Sequence, residues 1–269
     1  LSDPASKKAP IRRHRSLFLS DLHLGAIGAR ADLVMRFLMH NKADTYFLVG
    51  DILDLGVPFS LARASACDAV VNHLRQRQAE GAKLIYLIGN HDPAPEIAPD
   101  RRRLPVEPID EILHTTADGR RYLIVHGHEQ DRAFIRSHAL TRIGTYLESL
   151  ARLICTAILP AEERQARGKC GRIDRIFAGV NAALHLGRGH ERRLVDLARQ
   201  RGADGVICGH YHMAGLHDRY GLVYANCGDW VTSMTCLSED YSGRLHLVDG
   251  RAVSVLDSGL IPEAQVVHA

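Results

Sequence analysis

Tyr46-Phe47-Leu48-Val49-Gly50-Asp51-Ile52-Leu53-Asp54 is the stretch on which the fold turns. Four apolar residues run without a break into a glycine and an acid. A run this short, with no polar alternation, reads as a strand buried on both faces that feeds a loop. The figure occurs twice more. Ser16-Leu17-Phe18-Leu19 leads to Asp21-Leu22-His23, and Leu84-Ile85-Tyr86-Leu87-Ile88 leads to Gly89-Asn90-His91-Asp92. Two later motifs, His126-Gly127-His128 and Gly209-His210-Tyr211-His212, also close candidate strands.

Working outward, Leu33, Phe37 and Leu38 fit a helical period near 30–41, followed by a strand at 44–49, a helix at 61–80 and a strand at 83–88. This β-α-β-α-β alternation predicts an α/β fold with a mainly parallel sheet covered by helices. Residues 93–108 are rich in Pro and Arg and read as a loop, and Ala117-Asp118-Gly119 marks a hairpin between 111–116 and 120–126. Leu140, Ile143, Leu147, Leu150, Ile154 and Ala157 then define an amphipathic helix that Pro160 stops. A basic, Gly-rich stretch at 161–190 precedes a helix at 190–201 and a strand at 205–208. Short antiparallel strands are expected at 222–226, 234–237, 244–248 and 252–256. The expected organisation is a flexible basic lead-in at 1–15 carrying Arg12-Arg13-His14-Arg15, a catalytic domain at 16–257 and a tail at 258–269. Roughly 130–200 is a helical insertion in that domain, either ordinary core packing or a lid over the catalytic edge.

The 269 residues are 46% hydrophobic, as in water-soluble globular proteins, and no apolar run is long enough to span a bilayer. No h-region with a cleavage site opens the chain, so no signal peptide is expected. Cys67, Cys155, Cys170, Cys208, Cys227 and Cys236 show no paired spacing, which favours reduced thiols and a cytoplasmic location. The net charge is +3, but residues 132–193 hold twelve Lys/Arg against five Asp/Glu. That surplus fits an anionic substrate or surface, or else a solvated helical face. Nucleic acid is not an expected partner.

The motif residues suit one chemistry. Hydrolysis of a phosphate ester needs a strong nucleophile and cancelled charge on the phosphoryl oxygens. Two divalent ions about 3.5–4 Å apart meet both needs. Their ligands are mixed carboxylate and imidazole, with one carboxylate shared. Asp21 with His23, and His210 with His212, form pairs separated by one residue, which share a face in an extended segment. Asp51, after a turn-permitting Gly50, is the bridging candidate; Asn90 offers an amide oxygen and His126 ends a strand. His128 lies on the face of His126. His40, His73, His114, His138, His185, His190, His217, His246 and His268 lack motif context and read as surface or core residues.

In this order the motifs resemble the calcineurin-like metallophosphoesterase superfamily, over about 16–126 and 203–230. The resemblance implies a β-sandwich of two mixed sheets flanked by helices, with a dimetal site at loop ends. It implies that Asp21, His23 and His212 bind the first metal, that Asp51 bridges, and that Asn90, His126 and His210 hold the second. His91 would contact the phosphate and act as general acid, with Asp92 orienting it and raising its pKa. The nucleophile would be a hydroxide bridging the metals.

More narrowly, residues 17–25, 50–55 and the stretch Asn226-Cys227-Gly228-Asp229-Trp230-Val231 resemble the UDP-2,3-diacylglucosamine pyrophosphatase family. That resemblance implies Mn²⁺, release of UMP and 2,3-diacylglucosamine 1-phosphate in lipid A biosynthesis, and peripheral contact with the cytoplasmic face of the inner membrane. It also implies an insertion that cradles acyl chains. The same ligands accept Fe, Co or Zn. His91 stands where the best-known branch has Arg, and His128 where it tends to have Asp; the His91 form belongs to a second branch and to the wider superfamily. The alternative is a related enzyme for a soluble phosphodiester, nucleotide or phosphomonoester, or for another lipid phosphate. A scaffold without catalysis is disfavoured by the intact ligand set and His91.

Overall fold

The computed structural model describes residues 11–26, 29–54, 64–93, 103–130 and 189–252. Period-two alternation sets its layers. In β1 (Arg12–Leu19) Leu17 and Leu19 face one side and Phe18 the other; in β2 (Asn41–Val49) Tyr46 and Leu48 oppose Phe47 and Val49. All seven are buried, so the apolar runs are continuous because both faces of the sheet are covered.

The first sheet has the order β10-β9-β1-β2-β3, with β3 at Lys83–Leu87, β9 at Thr235–Glu239 and β10 at Leu245–Asp249. β1, β2 and β3 are parallel; β9 runs antiparallel to β1 and β10 to β9. The second sheet has the order β4-β5-β6-β8-β7, from β4 (Glu111–Thr115), β5 (Arg121–Val125), β6 (Gly205–Cys208), β7 (Gly215–His217) and β8 (Val223–Asn226). There β5, β6 and β8 are parallel.

Phe18, Phe47, Val49 and Ile85 meet Tyr122, Ile124 and Ile207 between the sheets. Outside the first sheet, α1 (Ala31–His40) and α2 (Ala64–Ala79) contribute Val34, Phe37, Val70 and Leu74 to a cluster with Leu17, Tyr46 and Trp230. Outside the second, α3 (Gly189–Gln200) packs Leu194, Val195 and Ala198 on Leu123, Val125 and Val206. The result is helix, sheet, sheet, helix: the expected α/β class, with two mixed sheets.

The details differ from expectation in places. β1 starts at Arg12, so Arg12–Arg15 of the expected flexible lead-in are strand. Arg12, Arg13 and His14 pair in register with Asn41, Lys42 and Ala43, and His14 Nε2 lies 3.0 Å from Asn41 Oδ1. These residues are polar and half exposed, so no apolar pattern announced them. β7 was not anticipated either; three half-buried residues leave little trace in a hydrophobicity pattern. The amphipathic helix at 140–157, most of the insertion, the strand at 252–256 beyond residue 252, and the tail lie outside the described residues. Cys67, Cys208, Cys227 and Cys236 are buried. Among the described residues no helix is long and apolar enough to cross a membrane.

Candidate metal centre

Every motif sits at the C-terminal end of a parallel strand: Asp21 and His23 after β1, Asp51 and Asp54 after β2, Asn90 and His91 after β3, His126 after β5, His210 and His212 after β6. The first two loops stay laced beyond their strands, through Asp21 N to Gly50 O (3.0 Å), His23 N to Asp51 O (2.9 Å) and Asp54 N to Leu24 O (3.0 Å). The His210 amide, after β6, in turn donates to the Asp21 carboxylate, which joins a loop of the second sheet to the first.

The local backbone there is unusual. Asp21, His23, Asp51, His210 and His212 all have positive φ, between 44° and 67°. The Asp-x-His and His-x-His pairs are therefore not extended, as the sequence spacing implied. In each, an apolar residue (Leu22 or Tyr211) is buried in the core while its neighbours adopt left-handed conformations. Glycines make the room: a Cβ on Gly89 would fall 2.2 Å from Asp51 Oδ1, and one on Gly209 2.6 Å from Asp21 Oδ2.

Three groups of side chains offer ligand atoms within 4.8 Å of one another: Asp21, His23 and His212; Asp51, His126 and His210; and His23, Asp54 and His91. In the first, Asp21 Oδ1 lies 3.2 Å from His212 Nε2, and His23 Nε2 lies 3.5 Å from the same nitrogen. Asp21 Oδ2 accepts the His210 N–H at 2.9 Å. In the second, His126 donates from Nδ1 to the Val49 carbonyl at 2.8 Å. A carbonyl only accepts, so in the neutral ring Nε2 presents a lone pair, and it faces Asp51 Oδ2 at 3.4 Å. Two lone pairs face each other there, which is favourable only with a cation or a proton between them.

That donor set fits divalent metal. His126 Nε2 and Asn90 Oδ1 are buried and make no hydrogen bond, as atoms reserved for a metal do. Burial disfavours a charged imidazole at His126 and His212, yet Asp51 and Asp21 reverse this and raise them to about 9 and about 10. Burial likewise pushes up the Asp51 carboxyl, and His126, His91 and His23 more than offset it, holding it well below the usual range. The carboxylates demand positive charge among these atoms.

His91 and Asp92 divide the work differently from expectation. The expected orienting contact from Asp92 to His91 is replaced: His91 Nδ1 lies 3.4 Å from Asp54 Oδ2, while both Asp92 oxygens accept backbone N–H groups. Asp54 also lies 3.6 Å from His23 Nδ1. Burial raises its carboxyl, but His23 and His91 outweigh this and hold it well below the ordinary value. Its place three residues after Asp51 was the available sequence signal. Asp229 was quoted in a motif but given no role; its Oδ2 lies 3.7 Å from His212 Nδ1 and its Oδ1 accepts the Val231 and Thr232 N–H groups. His128 opens a 3₁₀ turn, His128–Gln130, with its ring 5.4 Å from that of His126 and 6.3 Å from that of His210.

Of the histidines without motif context, His114 pairs with Glu239, His217 lies 3.5 Å from Glu191, His246 pairs with Asp240, and His190 stacks on Tyr211 at 4.0 Å. His138, His185 and His268 lie outside the described residues.

Comparison with known proteins gives a family and a set of likenesses. A dimetal phosphatase from Danio rerio is 14% identical over 89% of this chain and 96% of its own, with a TM-score of 0.45. The phosphoesterase Yfce from E. coli is 16% identical over 87% and 98%, TM-score 0.42, and Vacuolar Protein Sorting 29 from Cryptosporidium parvum is 13% identical over 87% and 85%, TM-score 0.40. No curated protein matches in sequence. The family model for calcineurin-like phosphoesterases matches residues 14–214, from within β1 to just past His212. That span takes in every side chain of the three ligand groups, and on it the chain belongs to the calcineurin-like phosphoesterase family, as a metal-dependent phosphoester hydrolase.

Proposed function

We propose that this hydrolase cleaves the diphosphate of UDP-2,3-diacylglucosamine, a lipid A precursor, to UMP and 2,3-diacylglucosamine 1-phosphate. The observation that carries the reading is the placement of 226–231, one of the three stretches that resemble that family. Asn226 Nδ2 donates to Gly209 O at 2.9 Å, Trp230 N donates to Asp21 O at 3.1 Å, and Asp229 faces His212. The stretch braces ligand loops from both sheets. A second support is the basic character of residues 132–193, which suits a diphosphate substrate. Arg193, from the basic stretch, donates from Nε to Gln130 O at 2.8 Å, four residues after His126.

Asp21, His23 and His212 would hold one ion and Asn90, His126 and His210 the other, with Asp51 shared between them. When bound, the ions, Mn²⁺ in this proposal, supply Lewis acidity toward the phosphoryl oxygens and toward the attacking water. Asp54 holds the Nδ1 side of His91, leaving Nε2 to give a proton to the departing oxygen as the P–O bond breaks. In this reading the enzyme is cytoplasmic and touches the inner membrane peripherally.

A second reading, a soluble phosphodiester, nucleotide or phosphomonoester or another lipid phosphate as substrate, is favoured by His91, which the wider superfamily shares. Phosphorus NMR of UDP-2,3-diacylglucosamine turnover, with Mn²⁺ and with EDTA, separates the two. Metal-dependent UMP and acylated sugar phosphate, formed far faster from micelles than p-nitrophenyl phosphate esters are cleaved, is the expected result. An inert lipid beside brisk cleavage of simple esters would favour the second reading.

A further inference from the structure

Asp92 follows His91 directly, yet its carboxylate serves other partners. Oδ1 accepts the N–H of Ile52 at 2.8 Å and of Leu53 at 2.9 Å; Oδ2 accepts those of Asp51 and Gly89, both at 2.8 Å. Four backbone N–H donors, joined by the Tyr86 hydroxyl, fill the lone-pair positions of this carboxylate, so none is left for metal or substrate. Three of the four are successive amides on another loop, 39–41 residues away. Successive N–H groups converge this way in a nest, a backbone concavity for an anion that combines left- and right-handed residues. Asp51, at φ 53°, is the left-handed member.

Asp51 returns the contact. Its Oδ1 accepts the His91 N–H at 2.8 Å. Its Oδ2 then lies 3.4 Å from His126 Nε2 and 3.9 Å from His23 Nε2, one nitrogen from each of the two ligand groups. The two loops clasp each other reciprocally, and the free oxygen of Asp51 points between the groups as a consequence.

We infer that Asp92 is a positioning residue for the metal centre: by filling the nest at 51–53 it holds the left-handed turn that aims Asp51 at both ions. The inference rests on the ligand role of Asp51 proposed above, not on the substrate. An amide cannot replace the carboxylate. The NH₂ of Asn in this place meets two N–H donors head on and leaves them without acceptors.

The test titrates metal-free protein with Mn²⁺ alone, by calorimetry. Asp92→Asn is expected to weaken Mn²⁺ binding roughly 10–100-fold, the usual scale for a group that orients a ligand. The same loss is expected in a His91→Ala background, because the effect does not run through that ring. Unchanged Mn²⁺ affinity with lost turnover would overturn the inference. Asp51→Asn is titrated in parallel: if it binds as wild type does, the ligand assignment itself fails, whereas loss there with full affinity in Asp92→Asn sinks this inference alone. Hydrogen exchange on metal-free wild type needs no variant to fold. The Asp51, Ile52 and Leu53 amides are expected to be protected as a set, and exchange at exposed-loop rates would also overturn the nest.

Discussion

At the scale of single residues, the site holds backbone that other parts of a protein avoid. A non-glycine residue in the left-handed region costs on the order of 1–3 kcal/mol, and five candidate ligands occupy it. The strain persists because Leu22 and Tyr211 are anchored in the core and the carboxylates are tied to amides of facing loops. His91→Ala is expected to retain metal and lose roughly 10²–10⁴ in kcat. Asp54→Asn should lose less, and the double variant should lose little more than His91→Ala, since Asp54 acts largely through that ring. Steady-state kinetics of the three variants checks this; additive losses would place the role of Asp54 at His23 instead. That the motif residues would come together was legible beforehand, because five such motifs in series, each at a strand end, exceed what turns alone require. Which acid serves which histidine was not. Asp92 is adjacent to His91 in sequence, but Asp54 is adjacent in space.

At the scale of elements, one buried acid ties the two sheets together. Glu239, at the end of β9, bonds Arg15 and Ser16 on β1, His114 on β4 at 2.8 Å and the Ala117 amide at 2.9 Å. Its side chain is fully buried. Each buried donor left without an acceptor costs about 1–3 kcal/mol. Glu239→Gln is therefore expected to lower Tm by several degrees, at roughly 2–4 °C per kcal/mol for a chain of this size. Burial raises the Glu239 carboxyl, but His114, Ser16 and the Ala117 amide more than offset it, leaving it below its ordinary 4.5. A depressed carboxyl stabilises the fold above that value and loses the contribution as pH falls through its folded value. The gap between wild type and Glu239→Gln should thus be full at neutral pH and shrink below about 4.5. A gap independent of pH in calorimetric scans would refute the ionic origin. Nothing in a run of apolar and polar letters foretold that Glu239 would face inward across 224 positions to Arg15.

At the scale of the molecule, the ligands of each candidate ion come from both sheets. Asp21 and His23 belong to the first and His212 to the second; Asp51 belongs to the first, His126 and His210 to the second. Metal then closes the seam between the sheets as well as supplying chemistry. A ligand at 100 times its Kd adds about 2.7 kcal/mol to stability. EDTA is expected to lower Tm, and Mn²⁺ to restore it in proportion to the logarithm of its concentration. A Tm indifferent to saturating Mn²⁺ would mean that these side chains do not form a metal centre.

The sequence by itself determined the strands buried on both faces, because runs such as Leu17-Phe18-Leu19 and Tyr46-Phe47-Leu48-Val49 are stable only when both faces are covered. It also determined which side chains could carry the chemistry, since ligand types and the glycines that make room for them are local and few. The tertiary structure decided the rest. That β5, β6 and β8 form a second sheet, that Arg12–Arg15 extend β1, and that Asp92 reaches the Asp51 turn all depend on pairings between distant segments. Such pairings depend on hydrogen bonds whose donors are backbone amides, and every residue but proline has one.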